Sequence, residues 1–208
     1  ITLAAALLAM LLSHRMARGV RRDVDRIEQE MLALAFVDPV SGLDNRNAVR
    51  LDLAGYVARA DAGPAGAGFS VVSLDLDNFK AINDTLGHHV GDQVLHEVAQ
   101  RLGRALQPGA KAYRLGGDEF VVVCPCAIGY RDPARYGQMV SQALSGSLHL
   151  AGVDVMLGGS VGVARYPLDG ASAEAVLLAS DIAMYRSKAQ GKHQVTVFDA
   201  SLREASEL

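Results

Sequence analysis

Three carboxylates in this sequence stand where strands give way to turns. Asp75 follows Phe69–Leu74, an almost wholly apolar run of the kind covered on both faces of a sheet, and opens the turn-prone stretch Asp75-Leu76-Asp77-Asn78. Asp118 and Glu119 lie at the tip of a glycine turn between two strand-like runs, Lys111–Leu115 and Phe120–Cys124. Ligand sites gather where loops leave such sheets. Carboxylates that converge there without a cysteine or histidine partner suit a hard divalent cation, Mg²⁺ above all, completed by its waters and by substrate phosphates. Gly116 and Gly117 have no Cβ, so a nucleotide can lie directly against the backbone of the turn. Each of these residues also has a plainer reading. Glycine and aspartate are ordinary turn residues, and Asp92 after Gly91 also reads as the N-cap of the next helix. His88 and His89 read by themselves as exposed histidines, and Lys188 and Lys192 beside Gly191 as the basic end of a helix.

The elements that must position these groups follow from periodicity. Arg46–Ala60 reads as a helix, residues 62–68 as a connection rich in glycine and alanine, and Val94, Leu95, Val98, Leu102 and Leu106 as the apolar stripe of a helix over 92–106. Val153–Val163 predicts one or two strands, Ala173–Ala189 two helical segments, and Val195–Phe198 a closing edge strand. Helices and strands alternate without repeats, which predicts an α/β sandwich with a central mixed β-sheet that carries an antiparallel hairpin and is flanked by helices.

Composition narrows the function classes. The 208 residues are 50% hydrophobic, enough for one domain with a real core plus an appendage. Twenty Lys+Arg against 23 Asp+Glu give a net charge of −3, so no positive field is available to hold nucleic acid, and phosphate chemistry must be local. The two cysteines, Cys124 and Cys126, are too few for a disulfide framework and fit a reducing compartment.

Residues 1–12 carry no charge, yet twelve helical residues span only about 18 Å of a hydrocarbon core about 30 Å thick. They read as the inner end of a transmembrane helix, with an amphipathic packing helix as the alternative. Arg15, Arg18, Arg21, Arg22 and Arg26 follow and mark the cytoplasmic side, which predicts an inner-membrane protein whose catalytic domain faces the cytoplasm. Over 13–37, Val20, Val24, Ile27, Met31 and Leu34 step by four and three, the seam of a short coiled coil or of a linker helix docked on the domain. Asp38-Pro39 ends the helix, so the domain is placed at 38–208.

Arg114-Leu115-Gly116-Gly117-Asp118-Glu119-Phe120 resembles the signature of the GGDEF family, the diguanylate cyclases. Further blocks resemble the family in its order. Residues 38–46 resemble the opening DxLTGLxNR with Ser41 in place of threonine, residues 75–84 resemble DxDxFKxxND, and residues 87–92 resemble GHxxGD. Near the end, 160–163 resemble SxGxA and 181–192 resemble ADxAMYxAKxxGRN, with Lys192 in place of arginine.

The resemblance implies a nucleotidyl-cyclase-like sandwich with an N-terminal helix. It implies a reaction in which two GTP molecules, held face to face by two protomers of a homodimer, condense to cyclic di-GMP; a GTP-binding regulatory module without turnover is the alternative. It further implies two Mg²⁺ per site, with Mn²⁺ as an alternative, held by Asp75, the Leu76 carbonyl and Asp118, with Glu119 as a further metal candidate. Asp118 is the implied catalytic residue, its role divided between general base and electrostatic stabiliser. Asn78, Phe79, Lys80, Gly116, Gly117, Lys188 and Lys192 are implied substrate contacts, and Asn83, His88 and Asp92 the readers of base and ribose. A carboxylate at Asp92 can accept from guanine N1–H and its amino group together, a donor pair that adenine lacks. Lysine at 192 gives up the bidentate fork of arginine, which weakens its hold on phosphate.

Overall fold

The computed structural model describes residues 10, 14–18, 20–24, 26, 31–32, 35–64, 67–125 and 131–204. The chain divides into two units, Ile1–Val37 and Asp38–Leu208. In the first, the described residues as far as Phe36 are helical, and Val20, Val24 and Met31 of the expected seam are exposed; Ile27 and Leu34 lie outside the described residues. The stretch expected to enter a membrane, 1–12, also lies outside them apart from Met10. No helix among the described residues is long and apolar enough to cross a membrane.

The second unit is built on a six-stranded mixed sheet ordered β1-β3-β4-β2-β7-β8. Its strands are β1 (Asp44–Asn45), β2 (Phe69–Leu76), β3 (Lys111–Gly116), β4 (Glu119–Cys124), β7 (Gly159–Tyr166) and β8 (Val195–Val197). β2 lies inside the sheet, antiparallel to both β4 and β7, and all eight of its residues are buried. The helices are α1 (Arg46–Asp61), α2 (Phe79–Leu86), α3 (His88–Ala105), α4 (Pro133–Leu144), α5 (Ala173–Ala189) and α6 (Ala200–Glu204). A separate ribbon, β5 (Gly146–Leu150) and β6 (Val153–Leu157), stands beside the main sheet where the sequence predicts only one sheet.

Alternation along β2 assigns the two faces. Val72, Leu74 and Leu76 enter the core with Val94, Val98 and Leu102 of α3 and Tyr136 and Val140 of α4. Ser73 points the other way, to Ser180 and Asp181 of α5. Gly162 of β7 lets α5 come close on that face, since a Cβ there would lie 2.1 Å from both the Met184 nitrogen and the Ser180 carbonyl oxygen. Asn45 caps α1 by accepting from the amides of Asn47 and Ala48 at 2.8 and 3.3 Å, and Ser172 caps α5 through the amide of Ala175 at 3.2 Å.

Three expectations change. α3 starts at His88 with Gly87 as its N-cap, so Asp92 is a residue of the helix and not its cap. The two segments expected over 173–189 are one helix, because Ser180 donates to the Leu177 carbonyl at 2.7 Å and continues the turn instead of breaking it. Cys124, buried at the end of β4, is disulfide-bonded where reduced thiols are expected.

Candidate active site

The end of β2 is the floor of the site. Asp75 pairs across the sheet with Glu119 of β4 on one side and Ser160 of β7 on the other. Its side chain turns toward α5, where Lys188 Nζ meets Oδ2 at 2.7 Å. Burial raises the Asp75 carboxyl above the ordinary carboxylate range; the Lys188 hydrogen bond opposes this, while the negative charges of Asp118 and Glu119 add to it. The field that favours a proton here also favours a divalent cation.

The β3–β4 turn delivers Asp118 to the same place. Gly116 and Gly117 have φ of 137° and 55°, backbone that residues with a Cβ adopt with strain, and the register slips between Arg114 and Gly116. The Leu76 amide donates to the Asp118 carbonyl at 3.2 Å, fastening the turn to β2. Beneath it the buried Arg114 guanidinium donates twice to the Gly117 carbonyl, at 3.1 and 2.7 Å, and once to Asp38 Oδ1 at 2.7 Å. Asp38 also accepts from the Ser41 amide and hydroxyl at 2.8 and 2.7 Å. Burial alone would raise the Asp38 carboxyl, but the Ser41 and Arg114 donors prevail and hold it below its ordinary value. The opening motif therefore buttresses the turn, and serine at 41 keeps the hydroxyl this requires.

Asp75, Leu76, Asn78, Phe79, Lys80, Asp118, Lys188 and Lys192 border one cleft of about 540 Å³. Phe79 itself is 7% exposed and belongs to the core beneath. Lys192 crosses the rim to donate to Asn78 Oδ1 at 2.8 Å.

The other predicted residues do not line this cleft. Glu119 faces Arg46 at 3.6 Å and borders a groove along α5 with Leu178, Tyr185 and Leu202. Gly116 and Gly117 are exposed, with open space where a Cβ would stand. Asn83 sits against Gly91, where an added Cβ would come within 1.8 Å of its Oδ1, so the glycine sets how closely α2 and α3 approach. His88 and Asp92 are exposed on α3, and Asp92 borders a hollow with His89, His96 and the ribbon residues Leu148 and Leu150. The implied base readers thus occupy the α2–α3 pair, beside the carboxylate cleft and not within it.

Two residues of the motif blocks, Arg46 and Asp77, have partners that the sequence does not name. Arg46 donates to the Leu115 carbonyl at 3.2 Å while facing Glu119, so it braces the turn from α1. Asp77, buried, accepts from the Ser160 hydroxyl at 2.8 Å and the His193 amide at 2.9 Å. Its sequence signal is its place as the second aspartate of the 75–84 block. Among the described residues no three His, Cys, Asp or Glu side chains are grouped to hold a metal ion as they lie, because Asp75 turns to Lys188 and Glu119 to Arg46. The donors nearest that arrangement, Asp75, Asp118 and backbone carbonyls, are all oxygen, the set a hard cation takes.

Comparison with known proteins bears on this geometry. Residues 35–194 match the family model described as diguanylate cyclase, GGDEF domain. The bifunctional diguanylate cyclase/cyclic di-GMP phosphodiesterase MucR of Pseudomonas aeruginosa is 33% identical over 210 residues, covering 97% of this chain and 30% of that protein. The chain spans about a quarter to a third of the first curated relatives it matches. Among solved structures, the GGDEF domain of PA1120 (TpbB or YfiN) from P. aeruginosa superposes with a TM-score of 0.77 at 30% identity, covering 83% of this chain and 99% of that one. The coiled coil and GGDEF domain of DgcB from Caulobacter crescentus, solved with c-di-GMP, gives 0.73 at 29%, covering 89% and 98%.

Proposed function

Because this chain belongs to the GGDEF domain family, we propose that it is a diguanylate cyclase, joining two GTP into cyclic di-GMP with release of two pyrophosphates. The observation that carries this reading is the cleft itself, in which Asp75 and Asp118 stand beside Lys80, Lys188 and Lys192 at the end of the buried strand β2. In each half-reaction a ribose 3′-hydroxyl oxygen bonds to the α-phosphorus of the opposite GTP, the α–β bridging P–O bond breaks, and the hydroxyl proton passes toward the Asp118 carboxylate. Mg²⁺ or Mn²⁺, two per site, held by Asp75, Asp118 and the Leu76 carbonyl with Glu119 in reserve, would acidify that hydroxyl and neutralise the triphosphate. The three lysines bring positive charge to the phosphates as point charges on flexible stems. Asn83, His88 and Asp92 on α2 and α3 hold the base and ribose.

Each site supplies one GTP and needs a second opposite, so the active species is a homodimer, aligned by the 13–37 helix. The arginine-rich segment supports a position of that helix at the cytoplasmic face of an inner membrane. Incubation with GTP and Mg²⁺ followed by nucleotide chromatography tests the reading. Cyclic di-GMP should accumulate at a rate per protomer that rises with protein concentration until the dimer saturates. No product at any concentration would overturn it.

Base selection gives a separate prediction. Asp92→Ser removes the acceptor pair for guanine, so the preference for GTP over ATP in competition should fall by about tenfold to a hundredfold. Since Gly87 and not Asp92 caps α3, loss of a helix cap does not confound the result. An unchanged ratio takes Asp92 out of the base site.

A further inference from the structure

The turn after α5 holds the backbone in an unfavourable shape. Gly191, Lys192 and His193 have successive φ values of 118°, 64° and 50°, and two of the three carry a Cβ. Side chains occupy this left-handed region only where the surroundings hold them there, and such spots cluster at functional sites. What holds them is Asp77. Its carboxylate, wholly buried, accepts from the His193 amide at 2.9 Å, lies 3.2 Å from His193 Nδ1, and is fixed from behind by the Ser160 hydroxyl at 2.8 Å. The His193 ring lies over Gly158, where an added Cβ would come 2.2 Å from Nδ1. His193 so anchored fixes the backbone from which Lys192 springs, and Lys192 Nζ reaches Asn78 Oδ1 on the rim of the cleft.

We propose that His193 is a positioning residue for GTP, acting through the buried Asp77 to fix the turn that presents Lys192 to the triphosphate. The inference rests on the reading of the cleft as a GTP site. His193 is not itself expected to touch substrate, because its ring is committed to Asp77 and Gly158.

A double-mutant cycle on the full chain tests this, with calorimetric binding of α,β-methylene GTP, an analogue that cannot release pyrophosphate. His193→Ala keeps the backbone amide that Asp77 accepts but loses the ring, which loosens the turn without undoing it. It should weaken analogue binding about fivefold to tenfold in the otherwise unchanged chain, and by less than about twofold when Lys192→Ala is already present. His193→Asn, the residue that the closing motif carries at this position, can still donate to Asp77 and should recover most of the loss. Independent losses in the cycle, or none from His193→Ala, overturn the positioning role; a general loss of stability would add to the Lys192→Ala effect and not vanish within it. Failure of the unsubstituted chain to bind the analogue overturns the GTP reading itself, and the inference with it.

Discussion

Asp118→Ala should lower the rate of cyclic di-GMP formation by about a thousandfold while the protein keeps its fold. Removing one preorganised charge-stabilising group costs about 10²- to 10³-fold. In the proposed reaction the same carboxylate also serves as metal ligand and as acceptor of the hydroxyl proton, so the loss falls at or beyond the upper end. Stability should barely change, because Asp118 is partly exposed at the tip of a turn and its backbone carbonyl, which fastens the turn to Leu76, survives the substitution. Product formation at saturating GTP and Mg²⁺, measured beside thermal unfolding, checks both halves. Activity within tenfold of the parent would remove Asp118 from the reaction.

Arg114→Met should destabilise the domain by about 3 kcal/mol at neutral pH, the lower end for breaking a buried ion pair. Arg114 and Asp38 side chains are only 9% and 17% exposed, so solvent screens the stranded Asp38 carboxylate poorly. The Gly117 carbonyl loses two donors at the same time, which releases the turn that carries Asp118. The pH dependence has a definite sign. Asp38 has its carboxyl depressed in the folded state, so its pairing contributes fully above its unfolded value and fades as the pH falls through the folded one. Urea unfolding of parent and variant should therefore give a gap that narrows below about pH 4. A gap under about 1 kcal/mol at pH 7 would mean that Ser41 alone sustains Asp38.

What could be read from the sequence depended on where each residue finds its partner. The run Phe69–Leu74 announces a strand covered on both faces because burial on both sides leaves no polar alternation, and the structure extends it to Leu76. α2 was hidden because it has only eight residues and its N-cap, Asn78, sits at φ of 62° without a side-chain cap. α4 carries a readable start in Asp132 and Pro133, whose aspartate carboxylate accepts from the Arg135 amide at 3.1 Å, and an apolar stripe in Tyr136, Met139, Val140 and Leu144, so this helix was legible although the expectations above leave it out. Asp75 and Asp118 were legible because a strand end and a glycine turn are local signals. Asp77 and Arg46 stand in the motif blocks, but their partners were not legible. Their work is defined by His193 and Leu115, 116 and 69 residues away, and no local pattern encodes such a meeting.

The same distances set the order in which the protein becomes competent during its synthesis. Asp77, one residue past β2, leaves the ribosome 83 residues ahead of Ser160 and 116 ahead of His193, the two donors that satisfy it. At about 5–20 residues per second the wait for His193 is on the order of ten seconds. Until Ser160 emerges, one edge of β2 lacks β7 and the Asp77 carboxylate has neither donor, and until His193 follows it has only one, so the floor of the cleft closes late. Lys188 and Lys192 arrive at the end of the same interval. On the proposed reading, a fragment that ends before Lys188 lacks two of the three lysines that border the cleft and should neither hold GTP nor form product.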